Sequence, residues 1–251
     1  MVASWSPLVL GVVVFCVLLY GISKTSLPTL GMLAGPLLAA ALGTTVASAF
    51  VIPLLIVGDL FALGRYRQHV QWRLILRLIP GILVGFVVMA VAFHYLSNAV
   101  LARILGALIL TSVILELYRR RRAASGDAID LGHPAVGAAF FGPLAGATTM
   151  AANAGGAAMS MYLVAMRTPM LVFMGTSAWF FFVVNVAKIP VVVGLGLMSW
   201  ETLRASLWFV PVIVIGALIG LRIFKHLSQK VFDNAAVLLS GVAGLWLLLH
   251  G

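Results

Sequence analysis

Charge is what this chain has least of. Only 9% of its 251 residues are Asp, Glu, Lys or Arg, and just six are acidic. Hydrophobic residues make up 63%, and the mean hydropathy is +1.16. No water-soluble domain needs that much apolar surface, so the composition points to a polytopic helical membrane protein. A polar stretch long enough for a separate soluble domain is also missing. The single Cys16 lies in an apolar run, which excludes an internal disulfide and a cysteine metal site. All five histidines (His69, His94, His133, His226, His250) fall in loops or at a terminus, so no metal cluster is expected. The chain has no Walker lysine motif, no G-x-S-x-G and no H-E-x-x-H. That leaves no catalytic residues and no cofactor to assign. The first apolar run, from Pro7 to Tyr20, lacks a basic region before it and a small-residue cleavage site after it. It is expected to belong to the mature protein.

What is abundant besides apolar side chains is positive charge, and it lies almost wholly in loops. The net charge of +10 is better explained by topology and by attraction to anionic lipid headgroups than by nucleic acid. The exception is Lys188. Seventeen uncharged residues (Leu171 to Ala187) precede it and twelve (Ile189 to Trp200) follow. At about 1.5 Å per helical residue, it lies more than ~12 Å from either end of the run. An isolated ammonium at that depth costs roughly 3 kcal/mol on insertion scales. Pro190, two residues on, removes a backbone donor and is expected to interrupt the helix. Two readings follow: a structural lysine paired to a carbonyl or an acid, or a polar mid-membrane cavity that receives an anion.

Taken in order, Pro7 to Ile22 is apolar and ends at Ser23-Lys24-Thr25-Ser26, and a shorter apolar run, Leu27 to Leu42, follows. These two segments suggest a helical hairpin or broken pair meeting inside the membrane. Spans are expected at Thr44 to Leu63, Leu74 to Phe93 and Val100 to Leu117. Residues 134–166 then form a second interrupted pair, broken at Asn153-Ala154-Gly155-Gly156. The long Lys188 segment, Leu203 to Leu221 and Val231 to Leu249 complete the chain. The order of elements is the same in both halves. A shift of 131 residues pairs Pro80 with Pro211, Ile82 with Ile213, Gly85 with Gly216 and Phe93 with Phe224. Leu96-Ser97 then falls on Leu227-Ser228 and Val100 on Val231, seven identities in 21 positions. An internal duplication explains this. It divides the chain into a first repeat (1–122), a cytoplasmic linker (123–133) and a second repeat (134–251).

Loop charges orient the halves. Arg65, Arg67, Arg73 and Arg77 follow the first long span, whereas the loop around Glu201 and Arg204 that follows the second is balanced. Arg222, Lys225 and Lys230 crowd the next turn instead, and the matching His94-to-Asn98 turn has no Lys, Arg, Asp or Glu. Since positive loops favour the cytoplasm, equivalent loops lie on opposite sides. The expected fold is all-α membrane: a polytopic bundle of two inverted-topology repeats with broken or re-entrant hairpins. Both termini are expected on the external face.

Such repeats hold substrate at their interface, near the midplane. The candidate binding residues are Lys24, Thr25 and Ser26 in one break and Asn153, Ala154, Gly155 and Gly156 in the other. Asn185 and Lys188 join them from the long segment, with the symmetric Thr45 and Thr176 as further candidates. Glycines let backbone N–H groups approach a ligand, helix starts favour anions, and the lysines add fixed positive charge. Each has a plainer use: Lys24 can snorkel, the glycines can serve close helix packing, and buried threonines often bond the preceding turn. Asp59 and Glu116 are expected at cytoplasmic helix ends, as ion partners of nearby arginines. With no carboxylate expected at mid-membrane, the residue set suits a small oxyanion.

The Gly21-Ile22-Ser23-Lys24-Thr25 stretch with Pro28, the Gly155-Gly156 turn and Asn185-x-x-Lys188-x-Pro190 together resemble the sulfite exporter TauE/SafE family. The likeness covers nearly the whole chain. One departure is that Thr25-Ser26 follows Lys24 where many relatives carry a glycine pair. The resemblance implies a transporter of sulfite, sulfoacetate or thiosulfate in the bacterial inner membrane, with no cofactor. Its partners would be a small anionic substrate and the lipid bilayer, and a homodimer is compatible with the layout. Expelling a monoanion from a negative interior gains ~2.3 kcal/mol per 100 mV, so export needs no coupling ion. The alternatives are an ion-coupled importer of a related anion, an anion channel, a membrane enzyme acting on lipid or quinone, and a non-transporting accessory subunit.

Overall fold

The structure, a computed structural model, describes residues 5–26, 28–124, 134–153, 155–166 and 168–223, together with 234, 238, 241, 242, 244–246, 248 and 249. Among these residues every regular element is helical. In order they are α1 (Pro7–Thr25), α2 (Gly31–Leu42), α3 (Thr44–Tyr66), α4 (Trp72–Tyr95) and α5 (Asn98–Ala124). After them come α6 (Pro134–Ala152), α7 (Gly156–Ala165), α8 (Met170–Gly194), α9 (Trp200–Leu207) and α10 (Val210–Ile223). Four of the described helices are long and apolar enough to cross a membrane, five if the bent α9–α10 pair counts as one span. The protein is a multi-pass helical membrane protein. The Val231-to-Leu249 span and the linker at 123–133 lie largely outside the described residues.

Local chemistry sets the helix boundaries. Ser6 caps α1 by accepting from the Val9 amide at 3.3 Å, and Pro7 sits at a first-turn position where its missing N–H costs nothing. Gly43, at φ 82°, closes α2 in a backbone conformation that glycine adopts without strain. Between α1 and α2 lies a single 3-10 turn, Pro28–Leu30. The sequence placed this break at Ser23-to-Ser26, but Ser23, Lys24 and Thr25 form the last helical turn of α1. The second break lies where expected, with α6 ending at Ala152 and α7 starting at Gly156. Asn153 there adopts a left-handed φ of 54°, which Asn tolerates better than most residues.

Two expectations are overturned. The helix α8 runs unbroken through Pro190. Pro190 and the neighbouring Ile189 and Val186 are exposed on the outer side of α8. Pro53, Pro80 and Pro143 are likewise carried inside α3, α4 and α6, as membrane helices allow. Conversely, Leu203 to Leu221 is not one straight span, because α9 and α10 meet at 48°. The chain resumes its helix at Val210 with Pro211 in the first turn, where proline is accepted.

The halves pack reciprocally. The closest partner of α1 is α10, that of α4 is α6, and α3 lies against α8. Glycines permit both close crossings. A Cβ on Gly216 would strike the Leu18 carbonyl of α1, and one on Gly85 would strike the Pro143 carbonyl of α6. The outer face of α4 carries Leu76, Leu83, Val84, Val87, Val88 and Val91, each more than half exposed, as a lipid-facing surface requires.

Candidate functional site

A helix that ends inside a membrane leaves carbonyls without amide partners, and no water is at hand to satisfy them. At the first break, the Tyr66 hydroxyl of α3 donates to the Thr25 carbonyl at 3.0 Å, and Thr25 Oγ1 donates across to the Ala217 carbonyl of α10 at 2.8 Å. Ser26 Oγ turns back to the Ile22 carbonyl at 2.6 Å. At the second break, Ser48 of α3 donates to the Met150 carbonyl at 2.7 Å. Lys188 of α8 donates to the Thr149 carbonyl at 3.1 Å, to Thr149 Oγ1 at 3.4 Å and to Asn153 Oδ1. Asn153 Nδ2 completes the arrangement by donating to the Ser48 carbonyl at 3.2 Å.

The two breaks converge on one buried cavity of about 20 Å³, room for roughly one water molecule. From the first half it is lined by Tyr20, Ser23, Lys24, Pro28, Gly31, Leu55 and Asp59. From the second half come Thr149, Asn153, Gly156, Met174, Ser177, Ala178, Phe181 and Asn185. Gly31 and Gly156 are the opening residues of α2 and α7, α2 continuing from the Pro28–Leu30 3-10 turn, so two helix starts with their positive dipole ends meet at the same place.

Lys24 brings the charge. Its side chain is 8% exposed, its Nζ lies 2.6 Å from Asp59 Oδ1, and it sits over the Phe181 ring at 4.6 Å from the centroid. Asn185 Nδ2 donates to the other carboxylate oxygen, Asp59 Oδ2, at 2.7 Å. Asn185 Oδ1 and Ser177 Oγ are buried and without a hydrogen-bond partner among the described residues. Unpaired buried polar atoms are costly, and at a cavity wall they mark a place where a polar guest fits.

Asp59 corrects the sequence reading. It is no interfacial residue but fully buried, and it forms an ion pair in the cavity wall. The misplacement came from the end of the span: α3 continues past Leu63 to Tyr66 and a 3-10 turn carries the chain to His69. Asp59 thus lies ten residues, about 15 Å, inside that end. A shift of 131 residues sets Lys188 on position 57, two residues from Asp59, and the Lys188 and Asp59 side chains are both fully buried. Glu116 lies on α5.

The other candidates separate cleanly. Lys24, Asn153, Gly156 and Asn185 line the cavity. Lys188 is fully buried behind the wall, with its donors held by the end of α6. Thr25 and Ser26 are buried in the bonds that close α1, and Gly155 packs on Thr149. Thr176 Oγ1 accepts from the Gln71 amide at 3.0 Å, which secures the turn before α4. Thr45 stands in the first turn of α3, fourteen residues from Asp59, and neither threonine lines the cavity. Ala154 lies outside the described residues. Tyr20, Ser23, Gly31, Thr149, Ser177 and Phe181 are lining residues that sequence reasoning passed over. Ser23 stood beside Lys24 and Gly31 within the apolar run after it, whereas nothing local singles out Ser177 or Phe181. Among the described residues, no group of His, Cys, Asp and Glu is placed to hold a metal.

Compared with known proteins, residues 13–247 match the family model described as Sulfite exporter TauE/SafE. The chain belongs to this family. Comparisons with curated proteins and with solved structures returned no match. The match spans both breaks and both long spans, so the cavity lies wholly within the part of the chain that defines membership in the TauE/SafE family.

Proposed function

We propose that the protein is a secondary transporter of a small sulfur oxyanion or organosulfonate, such as sulfite or sulfoacetate, and that it exports this anion across the bacterial inner membrane. The observation that carries the reading is the meeting of two helix starts, at Gly31 and Gly156, with the Lys24 ammonium in one buried cavity. Neutral donors there are Ser23 and Ser177, and an oxyanion takes hydrogen bonds from both classes of group. Lys188 acts one layer back by fixing Asn153 and the end of α6. Space for one water is too little for a sulfonate, so the substrate enters as the walls part. The reciprocal packing of α1 on α10 and α4 on α6 supports two inverted repeats that rock about the cavity in alternating access. By loop charge both termini lie outside.

The membrane potential still favours export of a monoanion. Asp59, buried in the cavity wall and paired to Lys24, overturns the expectation that no carboxylate lies at the site. The test is flux in proteoliposomes. Saturable efflux of sulfite or sulfoacetate that supports counterflow is expected. A non-saturating conductance would make the protein a channel, and no flux of any sulfur oxyanion would remove the reading.

A further inference from the structure

The charge within this site is unbalanced in a way that bears on which anions it takes. Lys188 directs its ammonium at a carbonyl, a hydroxyl and an amide oxygen, three acceptors for the three donors of a protonated lysine. Those acceptors are neutral, so its charge is solvated but not cancelled. Lys24 faces Asp59 and cancels against it. The wall and the layer behind it therefore hold two cations and one anion, a net charge of plus one. In a low-dielectric interior such a count decides what enters, since an uncompensated charge is costly to bury.

We propose that Asp59 is a proton-exchanging counter-ion: a monoanion binds with its carboxylate ionised, whereas a dianion binds together with one proton taken up on that carboxylate. The inference rests on the anion-site reading above and deepens it. On binding a dianion, an O–H bond forms at a carboxylate oxygen of Asp59 with a proton from the adjoining aqueous side, and no other bond is made or broken. The site then holds two lysine charges against two on the guest. Lys24, released from its ion pair, turns its donors to the anion.

Asn185 is built to tolerate both states. Its amide now donates to Asp59 Oδ2 at 2.7 Å while Oδ1 stays unpartnered. Rotated by half a turn, the same amide accepts from a protonated carboxyl group. The charged or titratable groups that line the cavity with Asp59 are Lys24 and Tyr20 of α1, and Lys188 of α8 stands behind the wall. From α6 come the neutral Thr149 and Asn153, from α2 comes Gly31, and Ile213 of α10 packs beside Gly58. No other charged side chain among the described residues lines the cavity.

Thiosulfate and methanesulfonate suit the test, because they are similar tetrahedral sulfur oxyanions with charges of two and one that stay constant between pH 6 and pH 9. Binding to the purified full-length protein is measured by calorimetry across that range. Thiosulfate affinity is expected to fall with rising pH, approaching tenfold per unit, while methanesulfonate affinity stays level. In weakly buffered solution one proton is expected to be taken up per thiosulfate bound and none per methanesulfonate. Asp59→Asn is expected to remove the pH slope. A level thiosulfate affinity without proton uptake in the wild type overturns the proposal and leaves the anion site standing, as does a wild-type slope retained in Asp59→Asn. Binding of neither anion at any pH overturns both.

Discussion

The two helix breaks have one problem in common and solve it with different chemistry. Each ends a helix among buried residues with carbonyls to satisfy. At the first, the partner is a phenol, Tyr66, and the lysine of that break points into the cavity against an acid. At the second, the partner is an ammonium, Lys188, and the break itself contributes an asparagine and glycines. The same residue type therefore has two uses. Lys24 points into the cavity within its ion pair to Asp59, while Lys188 bonds the oxygens at the end of α6. A lysine at mid-depth does not by itself identify a ligand contact, and the separating feature is what its donors already touch.

The most severe way to break this comparison is Lys24→Met. It strands a buried carboxylate, and removing one member of a buried pair costs about 3–5 kcal/mol. Thermal unfolding in detergent should show that loss, together with loss of anion binding. Lys24→Met combined with Asp59→Asn should recover most of the stability and none of the binding, a coupling that a double-mutant cycle reads directly. Recovered binding in the double variant would contradict a ligand role for Lys24. Lys188→Met should cost less, about 1–3 kcal/mol for acceptors left unsatisfied. It should weaken anion binding without abolishing it. Total loss of binding in a well-folded Lys188→Met protein would place the ammonium on the anion instead.

The glycine crossings test the likeness between the halves. Gly85→Ala would push a methyl into the Pro143 carbonyl and the Ala147 amide of α6, and Gly216→Ala into the Leu18 carbonyl and Gly21 of α1. In both cases the obstacle is backbone, which cannot rotate away, so each change should cost about 1–3 kcal/mol of stability. Matched losses in thermal unfolding are what two equivalent repeats require. A loss at one glycine alone would remove the equivalence.

The second helix break was legible, since Asn153-Ala154-Gly155-Gly156 has no apolar side chain larger than alanine to continue a packed helix. The first break was less legible. Ser23, Lys24 and Thr25 look like a turn in sequence yet stay helical, with the hydroxyl and carbonyl of Thr25 satisfied by Ala217 and Tyr66 from distant parts of the chain. Pro190 misled because a membrane helix can carry a proline where the freed backbone group is re-satisfied, as α8 does here and α3, α4 and α6 do at Pro53, Pro80 and Pro143. Lys188 was found because no plain helix explains it, but its three acceptors lie 35 and 39 residues away. Asp59 was missed because its depth depends on how far α3 continues, and the residues after Leu63 are polar enough to suggest a loop. Local pattern conveyed what had to be buried, while the partner that makes burial tolerable was set by tertiary packing.

The smallest effect expected is also the cleanest contrast with Lys188→Met. Tyr66→Phe removes only the hydroxyl that donates to the Thr25 carbonyl, and keeps the ring packed among Ala62, Leu63, Met174 and Ala178. A neutral hydrogen bond of this kind contributes about 1 kcal/mol. Tyr66 does not line the cavity, and the end of α1 keeps its tie to α10 through Thr25 Oγ1. Thermal unfolding should therefore shift slightly, with anion affinity unchanged. If Tyr66→Phe instead weakened binding as much as Lys188→Met, the two breaks would be equally responsible for the shape of the cavity, and the division between a charged break and a shaped one would have to be given up.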